Sequence, residues 1–236
     1  MKVVLTRERG ANASLVAQLP AGYDVSEVPL TRSALYDVEV VRAALDAHRA
    51  VGPFRTLVVT SARGAPYAAL AQGALSDDAV VCCVGPVTER ALSECGVGVD
   101  VVGRGAVASL ATVVSAGPVL VLGAKRTRPE LAASLRARGL DVFNLACYET
   151  VPVELTPDQI EVLARADVVF IGAPSAWAVA QRVVSPRTWV VVPGATTAAA
   201  VRATHSRVAE GWGAAAAPLL ATLGFLPSPG AAPPVG

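Results

Sequence analysis

Short runs of Val, Leu and Ile alternate with Ala- and Leu-rich stretches of helical spacing along nearly the whole chain. The apolar runs predict strands near Lys2–Thr6, Thr56–Thr60, Ala79–Val84, Val99–Val102, Pro118–Leu122, Asp167–Ile171, Trp189–Pro193 and Ser206–Glu210. Their apolar character is almost unbroken, as in strands buried on both faces. Between them, Ala11–Leu19, Arg63–Gln72, Val87–Cys95, Arg128–Arg138, Ser175–Val183 and Thr196–Thr204 carry helical spacing. Strands and helices taking turns predict an α/β fold, a parallel sheet with crossover helices. Residues 226–236 are rich in Pro, Gly and Ala without a period and read as a disordered tail.

Internal repetition refines this picture. Leu57-Val58-Val59-Thr60-Ser61-Ala62-Arg63-Gly64 resembles Val169-Phe170-Ile171-Gly172-Ala173-Pro174-Ser175-Ala176. Val84-Gly85-Pro86-Val87-Thr88 resembles Pro193-Gly194-Ala195-Thr196-Thr197, and Val119–Leu135 resembles Val3–Leu19. In the middle of the chain these units run first, second, third. In the other copy the third type stands at the N-terminus, and the first two follow residue 165. The order predicts two similar lobes, one assembled from both chain ends (1–30 plus 153–225) and one inserted (37–146). The chain crosses near Val28–Tyr36 and Cys147–Val153, with the linkers proper at 31–36 and 147–152; Pro29 and Pro152 sit in those crossings, where a stiff extended backbone is expected. Two crossings would make a hinge, with the ligand in the cleft between lobes. The alternative is one continuous doubly wound sheet whose repeats reflect common strand-turn-helix chemistry.

Charge and composition remove several function classes. Lys+Arg 20 against Asp+Glu 19 leaves a net charge of +1, without the basic field of nucleic-acid binding. Mean hydropathy is +0.50, yet no apolar run reaches the roughly 18 residues of a membrane helix. The longest candidate, Gly213–Leu226, is broken by Pro218 and Gly224. The N-terminus turns polar directly after Val3-Val4-Leu5, unlike a signal peptide, so a cytoplasmic setting is expected. Cys82, Cys83, Cys95 and Cys147 form no C-x-x-C pair, and only His48 and His205 supply imidazoles. No zinc or iron constellation follows, and reduced thiols are expected.

In parallel α/β sheets, ligands bind beyond the carboxyl ends of the strands. The turns there are Thr6-Arg7, Thr60-Ser61-Ala62-Arg63, Gly85-Pro86-Val87-Thr88, Gly103-Arg104-Gly105, Gly123-Ala124-Lys125-Arg126, Gly172-Ala173-Pro174-Ser175 and Gly194-Ala195-Thr196-Thr197. Helix N-termini after such turns offer free N–H groups and a positive dipole end, suited to carboxylates or phosphates. Each hydroxyl taken alone reads equally as a helix cap. Gly103-Arg104-Gly105 lacks the acidic partner of a dinucleotide fingerprint and reads as a helix-start turn. His48 and His205 stand away from strand carboxyl ends and read as surface histidines, and no carboxylate pair for acid/base work occurs in the turns. Tyr148, in the second crossing, could donate a hydrogen bond or act as a weak general acid; it could equally only pack the hinge.

Taken in order, Val4-Leu5-Thr6-Arg7, Val59-Thr60-Ser61, Val84-Gly85-Pro86-Val87-Thr88-Glu89-Arg90-Ala91-Leu92, Leu135–Val142 leading to Tyr148-Glu149-Thr150, Ala166–Phe170, Ala173-Pro174-Ser175-Ala176 and Gly194–Ala198 resemble the uroporphyrinogen-III synthase family. The resemblance runs from Val3 to about Leu223. It implies two Rossmann-like (flavodoxin-like) parallel-sheet lobes joined by a two-stranded linker, the first built from both chain ends. It also implies cyclisation of hydroxymethylbilane, a linear tetrapyrrole carrying eight carboxylates, with inversion of the last ring, loss of water and no metal or organic cofactor. Tyr148 matches the family's linker tyrosine, proposed there to assist loss of the hydroxyl group. Thr196 and Thr197 match its paired threonines, and Thr88 their equivalent in the other lobe. Thr6, Arg7, Thr60, Ser61, Arg63, Gly85, Lys125, Ala173, Ser175 and Gly194 complete the expected substrate contacts. A monomer is expected, with transient hand-over of substrate from hydroxymethylbilane synthase. Two departures stand out: Ala173 where a serine is common, and Pro193 where an aliphatic residue is usual. A non-catalytic two-lobed binding or regulatory module is the alternative.

Overall fold

The computed structural model describes residues 1–49, 52–105, 107–126 and 129–225; the expected tail at 226–236 lies outside them. Two compact units divide the chain. One comprises Met1–Arg32 and the residues from Val151 on, the other Ser33–Thr150.

In the first unit, β1 (Lys2–Leu5), β2 (Asp24–Glu27), β9 (Val168–Phe170), β10 (Trp189–Val192) and β11 (Val208–Glu210) form a five-stranded sheet. Its order is β11-β10-β9-β1-β2, and every pair is parallel. Successive side chains leave opposite faces. Thus Val4, Val169, Val190 and Val192 enter one core with Trp177 and Leu163, while Val3, Leu5, Phe170 and Val191 enter another with Leu15 and Leu220. Helices α7 (Pro157–Ala164), α8 (Pro174–Ala180) and α9 (Ala195–Arg202) supply residues to the first core, and α1 (Ala13–Val16) and α10 (Ala216–Thr222) to the second.

The second unit holds β4 (Phe54–Val59), β5 (Leu75–Cys83), β6 (Val101–Val102), β7 (Val119–Ala124) and β8 (Val142–Pro152). Their order is β8-β7-β4-β5-β6, all parallel, with β3 (Thr31–Leu35) beside β8. Cys82 and Cys83 show the two-sided burial directly, because each belongs to a different core. Around the sheet lie α2 (Val38–Arg49), α3 (Ala65–Ala71), α4 (Pro86–Glu94), α5 (Val107–Leu110) and α6 (Glu130–Ala137).

The two sheets share one topology. With β4 to β8 counted as strands one to five, the spatial order is 3-2-1-4-5. Counting β9, β10, β11, β1 and β2 in that sequence gives the same order. The first unit is therefore a circular permutation of the second, its chain opened between strands three and four. Register carries the equivalence to single residues. Leu57 pairs with Val81 as Val169 pairs with Val190, and Cys82 pairs with Val101 as Val191 pairs with Ala209. Gly85 thus corresponds to Gly194, Thr88 to Thr197, Gly103 to Gly211 and Arg104 to Trp212.

Several elements differ from expectation. β2, α2, α5, α7, α10 and the full length of β8 are additional, and the helix expected at Ala11–Leu19 shortens to Ala13–Val16. Beyond Val16 its turns close from i to i−3, with Gln18 and Leu19 donating to Leu15 and Val16. The segments expected as linkers, 31–36 and 147–152, lie largely within β3 and β8. His205 is a correction: it is buried rather than on the surface. Its Nε2 lies 2.8 Å from the Thr188 carbonyl, and its ring meets Trp177 edge-on at 5.5 Å. His48 packs its ring against Phe143 at 4.8 Å.

Candidate functional site

A 3-2-1-4-5 sheet reverses direction between strands one and four, and a crevice opens outside their carboxyl ends. In the second unit those strands are β4 and β7, and in the first β9 and β1. Thr6, Arg7, Thr60, Ser61, Arg63, Lys125, Ala173 and Ser175 follow these strand ends, whereas Gly85 and Thr88 follow β5, Gly194, Thr196 and Thr197 follow β10, and Tyr148 lies within β8.

In the second unit, β4 runs into Thr60 and Ser61. The Thr60 hydroxyl donates to the Leu122 carbonyl at 3.0 Å, tying β4 to β7. Ser61 caps the 3-10 turn Ala62–Gly64, its Oγ accepting from the Arg63 N–H at 3.3 Å. That turn is pressed onto its strand, since a β-carbon on Gly64 would lie 3.0 Å from Val59 Cγ1. Arg63 is exposed and reaches over the Tyr148 ring, its guanidinium carbon 5.7 Å from the ring centre.

Tyr148 owes its position to an irregularity in β8. Gly123 pairs with Ala146 but Ala124 pairs with Tyr148, so Cys147 is an extra residue and the strand bulges. The Tyr148 carbonyl accepts from the Lys125 N–H at 2.8 Å, and its ring packs in the core with 9% exposure. Among the described residues its hydroxyl has no hydrogen-bond partner. Lys125 ion-pairs with Glu149 at 3.1 Å; this bond, then the Glu149 charge and the nearby Tyr36, raise the ammonium's pKa.

Gly85 and Gly194 are the N-caps of α4 and α9, both in extended backbone. Three residues on, Thr88 and Thr197 are 3% and 5% exposed, and neither hydroxyl has a partner among the described residues. The residue between differs. Thr196 presents an exposed hydroxyl, whereas its counterpart Val87 is an exposed apolar side chain.

At the first unit's reversal, Thr6 is buried and donates to the Phe170 carbonyl at 2.6 Å. Arg7 is exposed, with Nη1 donating to the Ala11 carbonyl at 2.8 Å. Asn12, buried beneath this turn, donates to the Arg7 carbonyl at 3.3 Å. Ala173 takes the N-cap place of α8 in the same extended conformation as Ser61, but makes no side-chain cap bond. Pro174 opens the helix and Ser175 is exposed.

Sequence reasoning missed Trp212. It stands between Gly211 and Gly213 as Arg104 stands between Gly103 and Gly105, and this repeated Gly-x-Gly was the available signal. Crowding against backbone requires the first glycine at Gly103, whereas at Gly211 the near atom is the end of a flexible leucine side chain. A β-carbon on Gly103 would come within 2.9 Å of the Val84 carbonyl, and one on Gly211 within 2.7 Å of Leu219 Cδ2. Both second glycines take positive φ, 88° and 61°.

A cavity of about 330 Å³ beside β6 is bordered by Arg104, Ser109 and Thr112 and takes in none of the expected site residues. No cluster of three or more metal-ligating side chains occurs among the described residues, and no helix there is long and apolar enough to cross a membrane.

The family model of uroporphyrinogen-III synthase HemD matches residues 13–215. The chain belongs to the uroporphyrinogen-III synthase family. Its fold is similar to that of uroporphyrinogen-III synthetase from Helicobacter pylori, at 18% identity and a TM-score of 0.63, over 95% of this chain and 99% of that one. It is also similar to a mutant uroporphyrinogen III synthase from Thermus thermophilus, at 20% identity and a TM-score of 0.56, over 86% and 88% of the two chains. No curated protein sequence matches the chain significantly. Membership of a synthase family makes the protein an enzyme of tetrapyrrole biosynthesis.

Proposed function

We propose that the protein is a cofactor-independent lyase that converts hydroxymethylbilane into uroporphyrinogen III, losing one water and inverting the last pyrrole ring. The observation that carries this reading is the family match over residues 13–215 together with the helix starts Gly85–Thr88 and Gly194–Thr197, repeated in the two units with a threonine three residues after each glycine. The substrate ionises readily to an electron-rich azafulvene, so no strong nucleophile is demanded of the protein. The task is to hold the chain so that closure without inversion loses, which is catalysis by orientation.

Each expected residue takes a role consistent with its surroundings. Thr6 and Thr60, committed to strand carbonyls, set the shape of the reversal ends. Ser61 caps its turn and so orients the N–H groups beside it. Thr88, Thr196, Thr197 and Ser175 offer hydroxyls, and the N-terminal turns at Gly85, Ala173 and Gly194 offer N–H groups, to the substrate's carboxylates. Arg7, Arg63 and Lys125 supply positive charge. The Tyr148 hydroxyl, lacking a protein acceptor among the described residues, donates to the departing hydroxyl group of the substrate. We place the reaction in the cytoplasm, with a monomer receiving hydroxymethylbilane from hydroxymethylbilane synthase.

The experiment is to generate hydroxymethylbilane in situ and follow its disappearance with and without the protein. Saturable acceleration over spontaneous cyclisation is expected; an unchanged rate refutes the reading.

A further inference from the structure

Trp212 is the largest departure from the symmetry of the two units. At the place where the second unit carries exposed Arg104, the first carries a half-buried indole. Its backbone is extended, φ −150° and ψ 157°, and the loop is held from both sides. The Gly211 N–H donates to the Val192 carbonyl at 2.9 Å, and the Ala215 N–H to the Trp212 carbonyl at 3.3 Å. The ring then stands edge-on to Phe170, 5.6 Å between centres at 72°. Phe170 is fully buried, so one side of the indole is anchored in the core while part of it remains open to solvent.

The indole reaches the sheet reversal. A β-carbon on Gly172 would lie 3.9 Å from Trp212 Cη2 and 3.5 Å from Arg7 Cγ. The bare backbone of Gly172, after β9, therefore leaves room that the stem of the Arg7 guanidinium and the Trp212 ring both border. The indole packs against the first unit's core, whereas the same Gly-x-Gly loop in the second unit closes around an exposed arginine.

We propose that Trp212 is a substrate-positioning residue: its indole holds one pyrrole ring of the linear tetrapyrrole while Arg7 pairs with a carboxylate arm of that ring. Aromatic faces attract one another in offset or edge-on contact, and a fixed indole loses little conformational entropy in doing so. This inference rests on the reading of the protein as a uroporphyrinogen-III synthase.

Hydroxymethylbilane turnover by Trp212→Phe and Trp212→Leu is the test, with Trp189→Phe as the control at a tryptophan placed at the start of β10. Loss of one aromatic contact corresponds to a rise in KM on the order of tenfold. The Leu variant is expected to show that rise with kcat within about twofold, and the Phe variant to recover most of the loss. In Trp189→Phe protein the emission comes from buried Trp177 and half-buried Trp212, and uroporphyrinogen III is expected to shield the accessible part, that of Trp212, from acrylamide. Unchanged KM in both Trp212 variants, or acrylamide quenching that the product does not alter, overturns the assignment. A wild-type protein that forms no type III isomer instead removes the functional reading, and the assignment falls with it.

Discussion

The Thr6 hydroxyl donates to the Phe170 carbonyl at 2.6 Å, joining residues 164 apart in sequence at the point where the first unit's sheet reverses. Thr60 makes the matching tie to Leu122 in the second unit, but there the backbone N–H of Thr60 donates to the same carbonyl at 3.1 Å. Thr6→Val keeps the shape and removes the donor, and is expected to cost about 1 kcal/mol. For a chain of this size that lowers Tm by roughly 2–4 °C. Thr60→Val is expected to cost less, since its carbonyl keeps a donor. Thermal denaturation of both variants checks the order, and equal losses would contradict it.

Ala173 occupies the N-cap of α8 with the extended backbone that Ser61 uses to cap its turn. Ala173→Ser is expected to gain about 1 kcal/mol, the usual worth of a hydroxyl cap. The measurement is denaturant unfolding. A variant no more stable than wild type would mean that the restored hydroxyl does not reach the Ser175 N–H.

Tyr148 presents a hydroxyl without a protein partner among the described residues while its ring is packed in the core. Tyr148→Phe is therefore expected to leave Tm nearly unchanged and KM within about twofold. Loss of a positioned general acid or hydrogen-bond donor lowers kcat by on the order of a hundredfold. Steady-state kinetics separate the two parameters. Unchanged turnover removes Tyr148 from the mechanism.

Burial pushes the Cys147 thiol up to about 12 and, with the charges of Asp100 and Cys83 adding to burial, the Cys82 thiol up to about 11. A thiol raised in the folded state stabilises fully below its unfolded pKa, about 8.5, and loses that contribution as pH rises toward the folded value. Each of these cysteines is expected to make stability fall by about 1.4 kcal/mol per pH unit between roughly pH 9 and 11. Cys147→Ala is expected to show a correspondingly shallower fall. Parallel slopes for wild type and variant would contradict this.

The repeated units run third, first, second in one copy and first, second, third in the other, the mark of a circular permutation, which keeps their cyclic order while moving the chain ends. The two sheets and most of their strands were legible too, since strands buried on both faces leave unbroken apolar runs. α7 was missed although Thr156-Pro157-Asp158-Gln159 is a capping box, with the Thr156 Oγ1 accepting from the Gln159 N–H and the Gln159 Oε1 from the Thr156 N–H. α2 was missed because its buried stripe is narrow: Val41 and Leu45 face the core while Val38 and Val40 are exposed. In the site, the turns could be named but not their commitments. A threonine tied to a strand carbonyl and one with an open hydroxyl look alike in sequence. Trp212 lay outside every matched motif; the repeated Gly-x-Gly hints at its pairing with Arg104, and strand register fixes it.

The isomer composition of the product tests the central claim most directly. Hydroxymethylbilane is formed in the presence of the purified protein, the porphyrinogens are oxidised, and the type I and type III porphyrins are separated chromatographically. Type III is expected to dominate, with its share rising as more protein is added. Type I alone, in the proportion formed without protein, would contradict the synthase assignment and leave a two-unit α/β protein with a different ligand.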